Sequence, residues 1–339
     1  MKILVTGGTG FLGRRTVEQL VGSHDVRLLV RPTSSRERFP ESVEFAEGDV
    51  TDADSLVRAS EGCDAILHAA ALVKILAPGA DFDRINVGGL DNVLDAAKKN
   101  GIGRIVYVSS FMALGPTENG PDRQLDESAP VGDRSWINHY ERTKTLSDRA
   151  ARLAIDQGLG LNVVYPGVIY GPGELTEGNI VVRHVLDLAN KRLPALLGSP
   201  KHIWNYSFVE DVASGIVSVL EKAPAGERYV LGGDNVMQGD FYQTVERVFG
   251  IKTPGLRMPN PLAKLSGAMM KGWAQITGGT PSLTPDLVEV YKHDWALSSQ
   301  KAADAFGYAP RSLEQGLGET FEWLKSAGHW PAKLLRKAA

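Results

Sequence analysis

"VTGGTGFLGRR", residues 5–15, follows the β-branched run "KILVT" at 2–6 and opens an amphipathic helical pattern that runs to Gly22. Its glycines, Gly7, Gly10 and Gly13, stand three apart. Glycine also marks ordinary turns, so the flanks decide the reading. Between a strand and a helix, Gly7 permits a sharp turn, Gly10 lets backbone approach a pyrophosphate, and Gly13 lets helix and strand pack closely. The helix N-terminus adds free N–H groups and partial positive charge for phosphates. The stretch therefore reads as a dinucleotide-binding turn.

The rest of the 339-residue chain allows one large domain or two modest ones. Its 43% hydrophobic and 23% charged residues suit a soluble globular protein, and a net charge of −3 leaves no polybasic footprint for nucleic acid. The single cysteine, Cys63, excludes an intrachain disulfide and reads as a buried, inert thiol. The seven histidines are scattered, so no metal site is expected. No apolar run approaches the roughly 18 residues of a membrane span, so stable membrane insertion is not expected. A strand starting at Lys2 leaves no room for a targeting peptide, which points to the cytoplasm, and the "NYS" acceptor at Asn205 reads as accidental.

Strand patterns "KILVT", "DVRLLV", "VEFAEG", "DAILHAA", "RIVYVSS" and "LNVVYP" alternate with helical ones. In the helix expected over 81–99, Phe82, Ile85, Leu90, Val93, Leu94 and Ala97 share one face. This alternation predicts an α/β fold, a Rossmann-type doubly wound parallel sheet, with residues 1–170 as the dinucleotide-binding domain. Beyond "YPGVIYGPGE" the pattern breaks into shorter pieces, with helices expected around 209–222, 238–249, 261–276, 284–293 and 312–326. Residues 171–330 are expected to form a smaller, mainly helical substrate-binding region, with 206–222 returning to the first domain.

Tyr140 and Lys144 lie four apart on the helix "SWINHYERTKTLSDRAARL" and so share a face. A tyrosine near pKa 10 is a poor base at neutral pH. A neighbouring ammonium, worth at most about 4 kcal/mol at an effective dielectric of 20, is expected to draw the phenol down by roughly three units. Ser109 and Ser110 end the strand ahead of this helix, at the carboxyl edge where open parallel sheets bind ligands. Strand two ends Val30-Arg31 instead of with the acid that meets an NAD ribose, and Arg31, with Arg36 and Arg38 nearby, suits a 2′-phosphate. The other reading is a solvated arginine beside an adenine.

Thr6-Gly7-Gly8-Thr9-Gly10-Phe11-Leu12-Gly13 resembles the TGxxGxxG pattern of short-chain dehydrogenases/reductases. "GDVTD" at 48–52, "HAAA" at 68–71 and "YERTK" at 140–144 follow in that family's order. The resemblance implies that Asp49 and Val50 meet the adenine, that Ala69, Ala70 and Ala71 lie beneath the cofactor, and that Pro166, Gly167 and Val168 touch its carboxamide. It also implies a catalytic set. Ser110, five before Gly115, holds the substrate oxygen, and Ser109 lines the cofactor side. Tyr140 acts as general acid/base, and Lys144 also holds the nicotinamide ribose. Asn86 matches a recurrent family asparagine, or makes a structural bond to backbone.

The extended branch of this family includes sugar-nucleotide enzymes. Where those often carry arginines, this chain has Trp204 and Tyr165, which argues against a diphosphate substrate. "FMALGP", Ile203-Trp204 and the helix "PLAKLSGAMMKGWAQITG" offer apolar surface. On that helix the stripe Leu262, Leu265, Met269, Trp273 and Ile276 is expected to pack on the core, with contact to a lipid as the other reading.

"HAAALV", "NVGGLDNVLDAAK", "VSSFMALGPT", "YPGVIYGPGELTEGN" and "GYAPRSLEQGL" extend the resemblance over about residues 2–326. They resemble the dihydroflavonol-4-reductase-like group, and most of all its plant NAD-dependent farnesol dehydrogenases, with hopanoid-associated sugar-epimerase-like proteins nearby. That implies a small lipophilic alcohol or carbonyl as substrate and a homodimer through the helices at 81–99 and 138–157. It also implies NAD, against the NADP(H) that Arg31 favours, so the cofactor stands as NAD(P). A sugar epimerase, a dihydroflavonol or steroid-type ketone reductase, and a non-catalytic redox sensor are the competing readings.

Overall fold

The computed structural model describes residues 1–74, 76–117, 123–131, 134–279 and 281–335. Its centre is a seven-stranded parallel sheet. Six strands are β1 (Lys2–Thr6), β2 (Asp25–Val30), β3 (Glu44–Glu47), β4 (Ala65–His68), β5 (Ile105–Val108) and β6 (Leu161–Pro166), and β9 (Arg228–Leu231) joins from much later in the chain. The order is β3-β2-β1-β4-β5-β6-β9, each neighbour pair parallel.

Alternate strand residues enter opposite cores, as the period of two requires. Ile3, Val5, Leu67 and Val106 meet Val17 and Leu20 of α1 (Phe11–Leu20) and Val212 and Ile216 of α8 (Val209–Lys222). Leu4, Ile66 and Ile105 face the other layer, which is α2 (Ala53–Ser60), α4 (Gly88–Lys99) and α6 (His139–Asp156). Helical cover on both faces explains why the central strands read as continuous apolar runs. The chain reverses direction across the sheet between β1 and β4. The carboxyl ends of these two strands therefore border the crevice where such sheets bind ligands.

The expected helix over 81–99 begins with α3 (Gly79–Phe82), passes through a single π turn at Asp83–Val87, and continues as α4. The later region holds a second sheet that periodicity did not reveal. β8 (Ile203–Phe208) runs parallel to β7 (Val168–Tyr170) and antiparallel to β10 (Asp234–Met237). Around it lie α7 (Ile180–Ala189), α9 (Gln238–Phe249) and α13 (Leu313–Ser326), enclosing an aromatic core. Shorter pieces are α5 (Phe111–Leu114), α11 (Pro285–Val290), α12 (Gln300–Phe306), which packs beside β9, and α14 (Ala332–Leu335).

One expectation is overturned on α10 (Asn260–Thr277). The stripe Leu262, Leu265, Met269, Trp273 and Ile276 faces solvent, from 52% exposed at Leu262 to 81% at Ile276. The buried side is instead Ala263, Gly267 and Ala274. A Cβ on Gly267 would lie 2.8 Å from the Thr284 carbonyl carbon, so this small-residue face lets α10 lie against the chain entering α11. Periodicity detects an apolar face, but here the smaller residues gain the closer packing and the large ones are left outside.

Candidate active site

The glycine turn after β1 is built by contacts that a side chain would break. Gly7 has φ +75°, and a Cβ there would lie 2.4 Å from the Ala70 amide nitrogen. A Cβ on Gly13 would lie 2.2 Å from the Gly7 carbonyl oxygen. Gly10 differs: a Cβ there would meet only the Gly7 oxygen, at 3.2 Å, so its outer side is open to a ligand. Gly10 is also the N-cap of α1, with no side-chain cap and no acid in the first turn. That leaves the positive end of the helix facing the crevice. Thr9 lies within this turn. Phe11 is buried, with Gly173 closely packed on its ring, and Leu12 packs into the core. A cofactor would therefore meet the backbone of these two residues more than their side chains.

Ala69, Ala70 and Ala71 follow β4 directly over Gly7, and the Ala69 amide donates to the Thr6 carbonyl at 3.0 Å. Asp49 follows β3, with one carboxylate oxygen turned back to the Thr51 amide and hydroxyl. Val50 points into the core and its carbonyl accepts from Asn92, so its side chain is not presented to a ligand. Arg31 stands exposed just past β2. Arg36 and Arg38 are paired with Glu47 and Glu174, at 3.2 Å and 2.7 Å. Pro166 ends β6 and Val168 begins β7. Gly167 between them passes so close to Asn205 that a Cβ would lie 2.2 Å from its Oδ1.

Ser110, Tyr140 and Lys144 converge at the end of β5. The Ser110 backbone is extended, and its Oγ accepts from the Met112 amide at 3.2 Å, capping α5. Its hydroxyl also faces the Tyr140 phenol and favours the ionised form. Ser109 beside it is buried, with no hydrogen-bond partner for its Oγ. Lys144 is 2% exposed and donates from Nζ to the Val108 carbonyl at 2.8 Å. That Nζ lies 5.0 Å from the Tyr107 ring centre and 6.0 Å from that of Tyr140.

The electrostatics correct the expectation for Tyr140. Its phenol is pushed up by burial, with the Ser110 hydroxyl opposing, and Lys144 is itself brought down by burial to about 7. An ammonium 6 Å away is worth about 3 kcal/mol at an effective dielectric of 20. Desolvation of the phenol is the largest influence on it and outweighs that attraction. In the protein alone Tyr140 is a proton donor at neutral pH.

Several supporting residues escaped the motif reading. Asn138 caps α6 by accepting from the Glu141 amide at 2.8 Å. Glu141, 1% exposed, accepts from Arg134 at 3.0 Å and from the Ile137 amide at 2.6 Å. These bonds fix the first turn of α6, where Tyr140 sits. Asn86, left open between two roles, is structural: it pairs with both backbone groups of Leu72 and donates to Thr143 beside Lys144. His68 Nδ1 lies 2.7 Å from Thr6 Oγ1, and burial brings its pKa to about 3, so the ring is neutral. Only the capping pattern of an Asn three residues before a Glu could have announced any of these.

The description of the NAD dependent epimerase/dehydratase family matches residues 3–232. The chain belongs to that family. Over 335 residues it is 27% identical to a putative dihydroflavonol 4-reductase of Synechocystis, covering 96% of this chain and 95% of that one. It is 28% identical to a ketoreductase of Stigmatella aurantiaca named for a farnesyl-bearing dihydroquinoline oxide, covering 94% and 95%. The crystal structure of gox2253 superposes with a TM-score of 0.82 at 31% identity, covering 97% of this chain and 99% of that one.

As a member of the NAD-dependent epimerase/dehydratase family, the chain needs a place for a dinucleotide. Open Gly10, the uncapped α1 terminus and the unpartnered Ser109 hydroxyl fit one.

The two substitutions read against a diphosphate substrate part company here. Tyr165 is fully buried and donates to the Asp148 carboxylate of α6 at 2.5 Å, so it lies beneath the sheet and carries no information about phosphates. Trp204 lies in the second lobe, 4.4 Å from the Tyr291 ring centre, in a cluster with Tyr206, Phe241 and Tyr242. His184 bonds Tyr242 there and is held neutral, its pKa brought to about 4 by burial. Among the described residues Lys144 is the only buried lysine or arginine.

Proposed function

We propose that this enzyme uses NAD(P) to interconvert a lipophilic alcohol, of the prenyl type such as farnesol, and its carbonyl. The observation that carries the reading is the convergence of Ser110, Tyr140 and Lys144 beside a lobe whose interior is aromatic, with no fully buried lysine or arginine among its described residues, though Arg257 and Arg311 reach its rings from the edge. Two phosphates taken into such an interior would lack the paired guanidinium they require. The farnesyl group in the name of the Stigmatella relative points the same way.

In oxidation Tyr140 takes the hydroxyl proton; a nicotinamide held over the glycine turn after β1 would supply the hydride acceptor for the same carbon. Ser110 holds the oxygen in place, and Lys144 keeps the phenol's surroundings positive when protonated. In reduction Tyr140 returns the proton, the direction that its raised pKa favours at neutral pH. NAD is the family's cofactor, and exposed Arg31 favours tolerance of the 2′-phosphate of NADP.

A nucleotide-sugar epimerase is the second reading. It is favoured by the family's name and by the loss of Tyr165 as an objection. Reduced nicotinamide should accumulate when farnesol is added with NAD or NADP, and should not with UDP-glucose. Tyr140→Phe should lower that rate by about 10²–10⁴-fold. Accumulation by Tyr140→Phe at the wild-type rate would remove the mechanism, and epimerised sugar without reduced cofactor would install the second reading.

A further inference from the structure

Arg134 lies outside the glycine turn and the catalytic trio, yet it touches both elements that carry Ser110 and Tyr140. Its Nε donates to the Glu141 carboxylate at 3.0 Å, and its Nη2 reaches Thr145 Oγ1 at 3.4 Å. Glu141 and Thr145 each stand one residue beyond Tyr140 and Lys144 on α6, so they share the neighbouring face of that helix. The same Nη2 donates to the Met112 carbonyl at 2.8 Å and approaches that of Ala113 at 3.4 Å. Both carbonyls belong to α5, whose N-cap is Ser110.

A helix of four residues leaves its last carbonyls without partners of its own, and an arginine beside its end can take them. The C-cap of α5 is Gly115, with φ +97°, and a Cβ there would lie 2.9 Å from Arg134 Cζ. Glycine at this position makes room for the guanidinium as well as for the turn. On the other side the Glu141 carboxylate is buried, and a charge so placed needs a hydrogen-bonded partner. The planar fork of arginine reaches carboxylate and carbonyls together, which the single nitrogen of a lysine does not. With its charge paired to Glu141, what Arg134 supplies to the site is geometry.

We infer that Arg134 is a positioning residue: it fixes α5 to α6 and so sets where the Ser110 hydroxyl stands relative to the Tyr140 phenol. The inference rests on Ser110 and Tyr140 being the reacting pair, which the alcohol and the sugar readings share. Removing Arg134 alone would leave Glu141 buried and unpaired, a change that can unfold the chain by itself. The comparison is therefore made within Glu141→Gln, adding Arg134→Met with and without Ser110→Ala.

Turnover is measured with whichever of farnesol and UDP-glucose the wild type converts. With Ser110 present, Arg134→Met should lower kcat by about 10–100-fold, the scale of a misplacement of about 1 Å, and leave the Kd for NAD unchanged. In the Ser110→Ala background the same substitution should change kcat by about twofold or less, because residues acting through one contact are not additive. A merely stabilising contact would act alike in both backgrounds, and an equal loss in both, or none in either, overturns the inference. Hydrogen–deuterium exchange reads the clamp without a substrate. The Met112 amide, which bonds Ser110 Oγ, should exchange about tenfold faster once Arg134→Met is added, with the amides of β1 unchanged. A wild type inert on both substrates would remove the proposed function and leave this readout to decide; an unchanged Met112 rate overturns the inference.

Discussion

Lys144 contributes through the same burial that disfavours its charge. Its folded pKa is brought down to about 7 from the ordinary 10.5, so between those values the unfolded chain binds the proton that the folded one has released. Stability should therefore rise with pH across that window, and the penalty for the buried ammonium should be fully present below about 7. Lys144→Met removes this contribution. Thermal midpoints measured at pH 7 and pH 10 should show the variant relatively more stable at pH 7, its advantage shrinking by pH 10. A difference independent of pH would mean that the ammonium is solvated in the folded state. Tyr140 and Lys144 were legible because their spacing alone fixes a shared helical face. The direction of the Tyr140 shift was not, because burial is a property of the tertiary fold. Tyr165 and Trp204 teach the same: residue type was evident, but whether each faced a ligand or the core was decided by strands far away in sequence.

At the scale of elements, the first turn of α6 positions Tyr140, and that turn is held from outside. Asn138 supplies the cap, and Glu141 collects Arg134 and the Ile137 amide. Asn138→Ala should cost about 1 kcal/mol of stability, the usual loss for such a cap. Turnover should fall while cofactor affinity holds, because the glycine turn is a separate element. Chemical denaturation and cofactor titration of the same variant check both parts, and unchanged stability would deny the cap its role. The strands of the main sheet were legible from the sequence, since strands covered on both faces are short β-branched runs between glycine-rich turns. The second sheet was not. β7 has three residues, and β8, though Trp204, Tyr206 and Phe208 alternate with Asn205 and Ser207, is buried on both faces and runs directly into α8 with no turn between them. α10 was legible as a helix but not in its orientation, because both its faces are apolar and only contact with the chain before α11 chooses between them.

For the whole molecule, chemistry depends on two parts meeting over the carboxyl edge of one sheet. The cofactor half offers the turn after β1 and the segment after β4. The later region brings the aromatic lobe, and contacts such as Arg15 with the Pro172 carbonyl and Arg38 with Glu174 tie the loop after β7 to the glycine-turn side. Such a site can deliver a hydride to the cofactor and release it there, as a dehydrogenase does, or return it to the same substrate, as an epimerase does. Farnesol with both hydrogens of its alcohol carbon replaced by deuterium separates these outcomes. Incubated with the enzyme and NAD, it should leave one deuterium on nicotinamide C4 for each aldehyde formed, read by nuclear magnetic resonance of the cofactor. Deuterium retained in unchanged farnesol, alongside a sugar nucleotide that changes configuration under the same conditions, would contradict the account.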